Sequence, residues 1–215
     1  MRNDPETKIE RIMILARKLP CFELHDLFGI EKDKNYLRVL FYRYKKTGKI
    51  ITLKKGWYTT KDYLDKITKN NQLGDYSEFV SIVLYEPSYL SLEYVLYENN
   101  ILTEIPVNLS LISKKKTQHF SNQFGSFFYH KIKKELFCGF TIIKKGEFTI
   151  YKATKAKALF DFLYLRKNSI ASKSAAEELR LNLDNFNTTD KKELERYIKM
   201  TGSKKMMTIF DYLFA

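Results

Sequence analysis

Cysteine is scarce in this sequence. Its 215 residues hold two, Cys21 and Cys138, far apart and without the paired spacing of a metal site. A disulfide framework is thereby excluded, and with no export signal both read as free cytosolic thiols. The three histidines, His25, His119 and His130, are isolated, none with a Cys or carboxylate at ligand spacing. A phosphate-cradling glycine loop, a GxSxG elbow and a paired-carboxylate motif are all missing. Glu177-Glu178 and Glu193/Glu195 read as solvated helix faces. No catalytic residue, metal or cofactor is therefore expected. No run approaches the ~18 apolar residues of a membrane span. The opening MRNDPETKIERIMILARK has no uninterrupted apolar stretch behind its charges, so neither a secretory signal nor a membrane partner is expected, and the expected location is the cytoplasm. Internal repeats and low-complexity tracts are also lacking.

Apolar residues and positive charge are abundant. Hydrophobic residues make up 44% and aromatics 15%, enough for a packed core and against disorder. The net charge is +13, and it is uneven. Residues 1–70 carry +8, and residues 31–56 alone carry +7, from 7 Lys and 2 Arg against 2 acids. Such concentration calls for a polyanionic partner, either nucleic acid or an anionic membrane surface.

The first part has a recognisable order. Asp4-Pro5 suits a helix start, and Ile9, Ile12, Met13 and Ala16 share one helical face. Pro20 ends that helix. A short second helix follows at Phe22–Phe28, with Leu24, Leu27 and Phe28 inward, and Gly29 caps it. Asp33 caps a third helix whose core stripe is Leu37, Leu40, Phe41 and Tyr44, and Gly48 ends it. Ile50–Leu53 and Trp57–Thr60 are strands of a hairpin turning at Lys54-Lys55-Gly56. Helix, helix, helix, hairpin is the winged helix-turn-helix order. The third helix is then the reader, with Asn35, Arg38, Val39, Tyr42, Arg43 and Lys46 opposite its core stripe. Asn can pair with adenine and Arg with guanine, while Tyr and Lys reach phosphates. Lys54 and Lys55 at the wing tip can touch backbone or minor groove. The expected DNA-binding set is Asn35, Arg38, Tyr42, Arg43, Lys46, Lys54 and Lys55.

The polar stretch 61–76 reads as a linker, dividing a domain at 1–70 from one at 77–215. In the second, Ser88–Asn99 reads as a helix with Leu92, Val95 and Leu96 on one side. Val107–Ser113, Ser126–Ile132 and a hairpin over Phe137–Tyr151, turning at Lys144-Lys145-Gly146, read as strands. Helices are expected near 154–166, 172–181 and 189–215, the last broken at Gly202. The fold class is α+β: a winged helix-turn-helix followed by a mixed α/β domain. Leu159, Phe162 and Leu163 are expected in the core, and Lys157 and Asp161, at i, i+4, are expected to pair on the surface.

Two segments of the second domain are familiar. Glu86-Pro87-Ser88-Tyr89-Leu90-Ser91-Leu92-Glu93-Tyr94-Val95-Leu96 leads into Ile101, and Ile150-Tyr151-Lys152-Ala153-Thr154-Lys155-Ala156-Lys157-Ala158-Leu159-Phe160-Asp161-Phe162-Leu163-Tyr164-Leu165 follows much later. Together, behind a winged helix, they resemble the AbiEi family, antitoxins of type IV toxin–antitoxin and abortive-infection systems. Glu93-Tyr94-Val95-Leu96 departs from the family's usual Ser-Ala, and the second segment lacks the proline often seen near Lys155. The resemblance implies repression of the protein's own operon by binding promoter DNA, expected at inverted repeats. It also implies a C-terminal antitoxin domain that counteracts a nucleotidyltransferase-fold toxin without needing a stable complex. A monomer in solution is expected. The alternatives are a winged-helix regulator with a ligand-sensing C-terminal domain, a nucleic-acid enzyme that would need a convergent carboxylate or His cluster, and an RNA-binding module. RRM and KH signatures are missing.

Overall fold

The computed structural model describes residues 7–214. The chain is a mixed α and β protein, 49% helical and 20% strand. It divides into two compact units, one ending at Val80 and the other beginning at Ser81.

The first unit opens on helix α1 (Lys8–Lys18). The expected Asp4-Pro5 start lies outside the described residues. Within them Thr7 caps α1: its hydroxyl accepts from the Glu10 amide while the Glu10 carboxylate accepts from the Thr7 amide. The expected second helix is a single 3-10 turn, Leu24–Leu27. Helix α2 (Lys34–Lys46) starts at Asp33, whose carboxylate accepts from the Asn35 and Tyr36 amides at 2.8 and 3.1 Å. That cap is worth ~1 kcal/mol. Strands β1 (Ile50–Lys54) and β2 (Trp57–Thr60) form an antiparallel hairpin whose turn needs Gly56 at φ 89°. Phe22 exchanges two backbone hydrogen bonds with Tyr58 on the other side of β2. Ile12, Ala16, Phe22, Leu27, Leu37 and Phe41 make the core, with the Phe22 and Phe41 rings edge to face at 5.7 Å.

Residues 61–76 are not a linker. Helix α3 (Lys61–Lys69) is capped by Thr60 and buries Tyr63, Leu64 and Ile67 as it packs on α1 and β2. Asn70-Asn71 then turns the chain, Asn71 at φ 56°, into helix α4 (Leu73–Val83). Tyr76 is fully buried, and its hydroxyl donates to the Pro20 carbonyl at 2.8 Å. The stretch reads as polar because all six α3 residues other than the buried three face water. The apolar stripe is one turn long.

The second unit holds a six-stranded sheet in the order β5-β6-β4-β3-β8-β7. The strands are β3 (Ser88–Leu90), β4 (Leu109–Ser113), β5 (Gln118–Asn122), β6 (Gly125–Lys131), β7 (Phe140–Lys145) and β8 (Phe148–Ala153). Pairing is antiparallel for β3–β4, β5–β6 and β7–β8, and parallel for β3–β8 and β4–β6. The expected helix over Ser88–Asn99 is corrected: Ser88–Leu90 is a central strand, and α5 covers only Leu92–Glu98. The strand is only three residues long and a single residue, Ser91, separates it from the helix, so its pattern merges with the helical one that follows. Helix α6 (Lys155–Arg166) packs against α5, β8 and α8 (Thr188–Met200), and α7 (Lys173–Glu177) and α9 (Lys204–Phe214) complete the unit. Residues 156–163 of α6 are buried without a break, as expected of a helix surrounded on all sides.

Candidate nucleic-acid interface

Helix α2 contains no Asp or Glu between Lys34 and Lys46. Its buried stripe of Leu37, Leu40 and Phe41 fixes the rotation of the helix. Asn35, Arg38, Val39, Tyr42, Arg43 and Lys46 therefore all point to solvent, and Val39 and Tyr42 are 52% and 61% exposed. The Arg38 guanidinium donates to Asn35 Oδ1 at 3.4 Å, and the Lys46 ammonium sits 4.7 Å over the Tyr42 ring.

The hairpin turn comes beside this face. One groove, of about 480 Å³, is lined by Lys34, Arg38, Lys55 and Tyr58 together with the 3-10 turn. A second, of about 520 Å³, is lined by Arg38, Tyr42, Lys45 and Lys55. Arg38 and Lys55 border both, so helix and turn contribute cations to each groove. Lys55 is exposed, while Lys54, the last residue of β1, is only half-exposed. One acidic group enters the first groove: Glu23, whose carboxylate lies 3.2 Å from His25 Nδ1, with Asp26 at 3.2 Å from Nε2. Sequence spacing alone did not reveal that His25 sits between two carboxylates.

The second unit contains a feature that sequence reading placed wrongly. Lys157 and Asp161 do pair, Nζ to Oδ1 at 2.6 Å, but both are completely buried. Asp161 Oδ2 also accepts from Ser91 Oγ at 2.8 Å and from the Tyr89 hydroxyl at 3.0 Å. Leu92, at φ 57°, turns the chain from β3 into α5 directly after Ser91. The two motifs that carry the family resemblance thus meet in one buried polar cluster. Burial pushes the Asp161 carboxyl up, and Lys157, Ser91 and Tyr89 each pull it back down. The Lys157 ammonium lies 4.4 Å from the Phe160 ring and 5.3 Å from that of Tyr197.

Glu193, expected on a solvated face, accepts from Tyr197 Oη at 2.7 Å and from Thr154 Oγ1 at 2.9 Å. Burial, then Glu193, pushes the Tyr197 hydroxyl up to about 12. Gly139, at φ 74°, lies so close that a Cβ there would collide with the Tyr197 ring and hydroxyl. Burial also holds the His130 imidazole down, helped by Arg166 and opposed by Glu93.

Among the described residues, no group of three or more His, Cys, Asp and Glu could hold a metal ion. No described helix is long and apolar enough to cross a membrane. Comparison with known protein families finds no match, and comparison with curated proteins finds none either.

Proposed function

We propose that the first unit is a winged helix-turn-helix that binds double-stranded promoter DNA, and that the chain is an AbiEi-like antitoxin and autorepressor. The observation that carries this reading is the carboxylate-free outer face of α2, whose Arg38 borders two grooves together with Lys55 of the hairpin turn. A recognition helix needs donors that reach base edges, flanked by cations that neutralise phosphates. Asn35, Arg38 and Arg43 are of the first kind and Lys46, Lys54 and Lys55 of the second, while the Tyr42 hydroxyl can donate to a phosphate oxygen. The bridge from Phe22 to β2 supports the reading further, because it braces the wing against the helices. The antitoxin half rests on the resemblance of the two motifs that meet at Asp161, with a nucleotidyltransferase-fold toxin as functional partner.

The test is binding of the purified chain to its own promoter. Affinity should fall steeply between about 50 and 200 mM salt as phosphate contacts release counterions. Arg38→Ala or Arg43→Ala should weaken specific binding by ~1–3 kcal/mol if that side chain reads a base. Lys54→Ala with Lys55→Ala should weaken binding to all sequences alike. A promoter that is not retarded at low salt would overturn the DNA half. Co-expression with the neighbouring gene product, scored for growth, tests the antitoxin half. A second reading, a ligand-sensing second unit, is favoured by a cavity of about 300 Å³ lined by Ile82, Pro87, Phe137, Phe140 and Tyr151. Failure of rescue would favour it.

A further inference from the structure

We infer that the β5–β6 end of the sheet in the second unit is a binding surface for single-stranded RNA. Residues 105–134 contain six lysines and no Asp or Glu. Residues 71–215 carry +5 in total, so the remainder of that part of the chain is slightly acidic and this segment holds all its excess charge. The register gathers the six at one end. Strand β4 stops at Ser113, opposite Lys131 of β6, and Lys114, Lys115 and Lys116 cross over that end to begin β5. Lys133 and Lys134 follow as β6 leaves the sheet. Thr117 Oγ1 accepts from the Lys131 amide at 3.2 Å, and the Tyr85 hydroxyl donates to the Lys116 carbonyl at 2.9 Å, so the crossing is held in place. All six lysines are exposed, and none forms an ion pair within the described residues.

A cluster of lysines alone would suit any polyanion. The adjoining sheet face narrows the choice. Strand alternation puts His119 and Ser121 of β5 on the same face as Ser126, Phe128 and His130 of β6. His119 is exposed and stacks on half-buried Phe128, ring centroids 4.2 Å apart and planes 18° from parallel. The outer side of the imidazole is thus a flat platform on which a splayed-out base can stack. Beside it Ser121 Oγ lies 3.1 Å from His119 Nε2 and 2.9 Å from Ser126 Oγ. These groups both donate and accept, which suits a ribose 2′-hydroxyl and selects RNA over DNA. A duplex buries its base faces and has no use for such a platform. The surface is built wholly from the second unit and does not depend on promoter binding at α2.

The test uses the full chain and a labelled RNA of about a dozen nucleotides, read by fluorescence anisotropy. Lys114→Ala/Lys131→Ala/Lys133→Ala should lower affinity at least tenfold and make the salt dependence shallower by about two ions. His119→Ala should lower affinity about tenfold with the salt slope unchanged, and His119→Tyr should restore it. These side chains are exposed, so thermal midpoints should stay at the wild-type value. Unchanged RNA affinity in the triple-lysine variant would overturn the inference. So would indifference to His119→Ala, which would leave a generic patch for polyanions, anionic vesicles included. A DNA strand of the same sequence bound as tightly would overturn the choice of RNA. An equal loss of RNA binding in Arg38→Ala/Arg43→Ala would move the site to α2.

Discussion

Asp161 accepts from an ammonium and two hydroxyls in a place no water reaches. On an exposed helix the Lys157–Asp161 spacing is worth a few tenths of a kcal/mol, because water competes for both charges. Buried, each charge depends on the other. Asp161→Asn leaves a buried ammonium without its countercharge, with only a neutral carboxamide and aromatic faces near it, and should cost ~3–5 kcal/mol. Lys157→Met leaves a carboxylate that still has Ser91 and Tyr89 and can take up a proton, so it should cost less. The double variant Lys157→Met/Asp161→Asn carries no buried charge and keeps an acceptor for both hydroxyls. It should therefore be more stable than Asp161→Asn alone. Urea denaturation of the four proteins gives the coupling, and additivity within ~0.5 kcal/mol would show the two residues to be independent. The sequence could not reveal this cluster, because an i, i+4 pair carries no mark of which face is solvated. That depends on α5, α8 and β3 closing around α6.

At the scale of elements, legibility followed the length of the pattern. Helix α2 was readable because it has a cap, four stripe positions and a terminating glycine. The β1–β2 and β7–β8 hairpins were readable because Gly56 and Gly146 mark their turns. Strand β5 was hidden: as an edge strand it buries little, and Gln118, Ser121 and Asn122 resemble a loop. Helix α3 was hidden because its stripe is only Tyr63, Leu64 and Ile67. The difference is measurable. Ile67 has no accessible surface, so Ile67→Ala should destabilise the first unit by ~2–5 kcal/mol. A linker position would change by under ~0.5 kcal/mol. A urea midpoint equal to wild type would restore the linker reading.

The whole molecule has two units, and their division bears on how the proposed repression and the proposed protection can be separated. Cutting the chain near Gly74 follows from reading 61–76 as a linker, but α4 runs from Leu73 to Val83 across the division at Val80. A fragment starting there would expose Tyr76 without its Pro20 partner. Surface substitution avoids this. Arg38, Arg43 and Lys46 are exposed and stand off the buried stripe of α2, so replacing all three by Ala should leave the thermal midpoint at the wild-type value. Three cations would be removed from the proposed reading face, and promoter repression should be lost. The proposed antitoxin motifs lie wholly after Ser81, so growth on toxin induction should be protected as fully as by the wild type. Promoter activity and growth are read in the same cells. A well-folded triple variant that loses both would show that DNA binding is part of the protection itself, and the assignment of one function to each unit would fail.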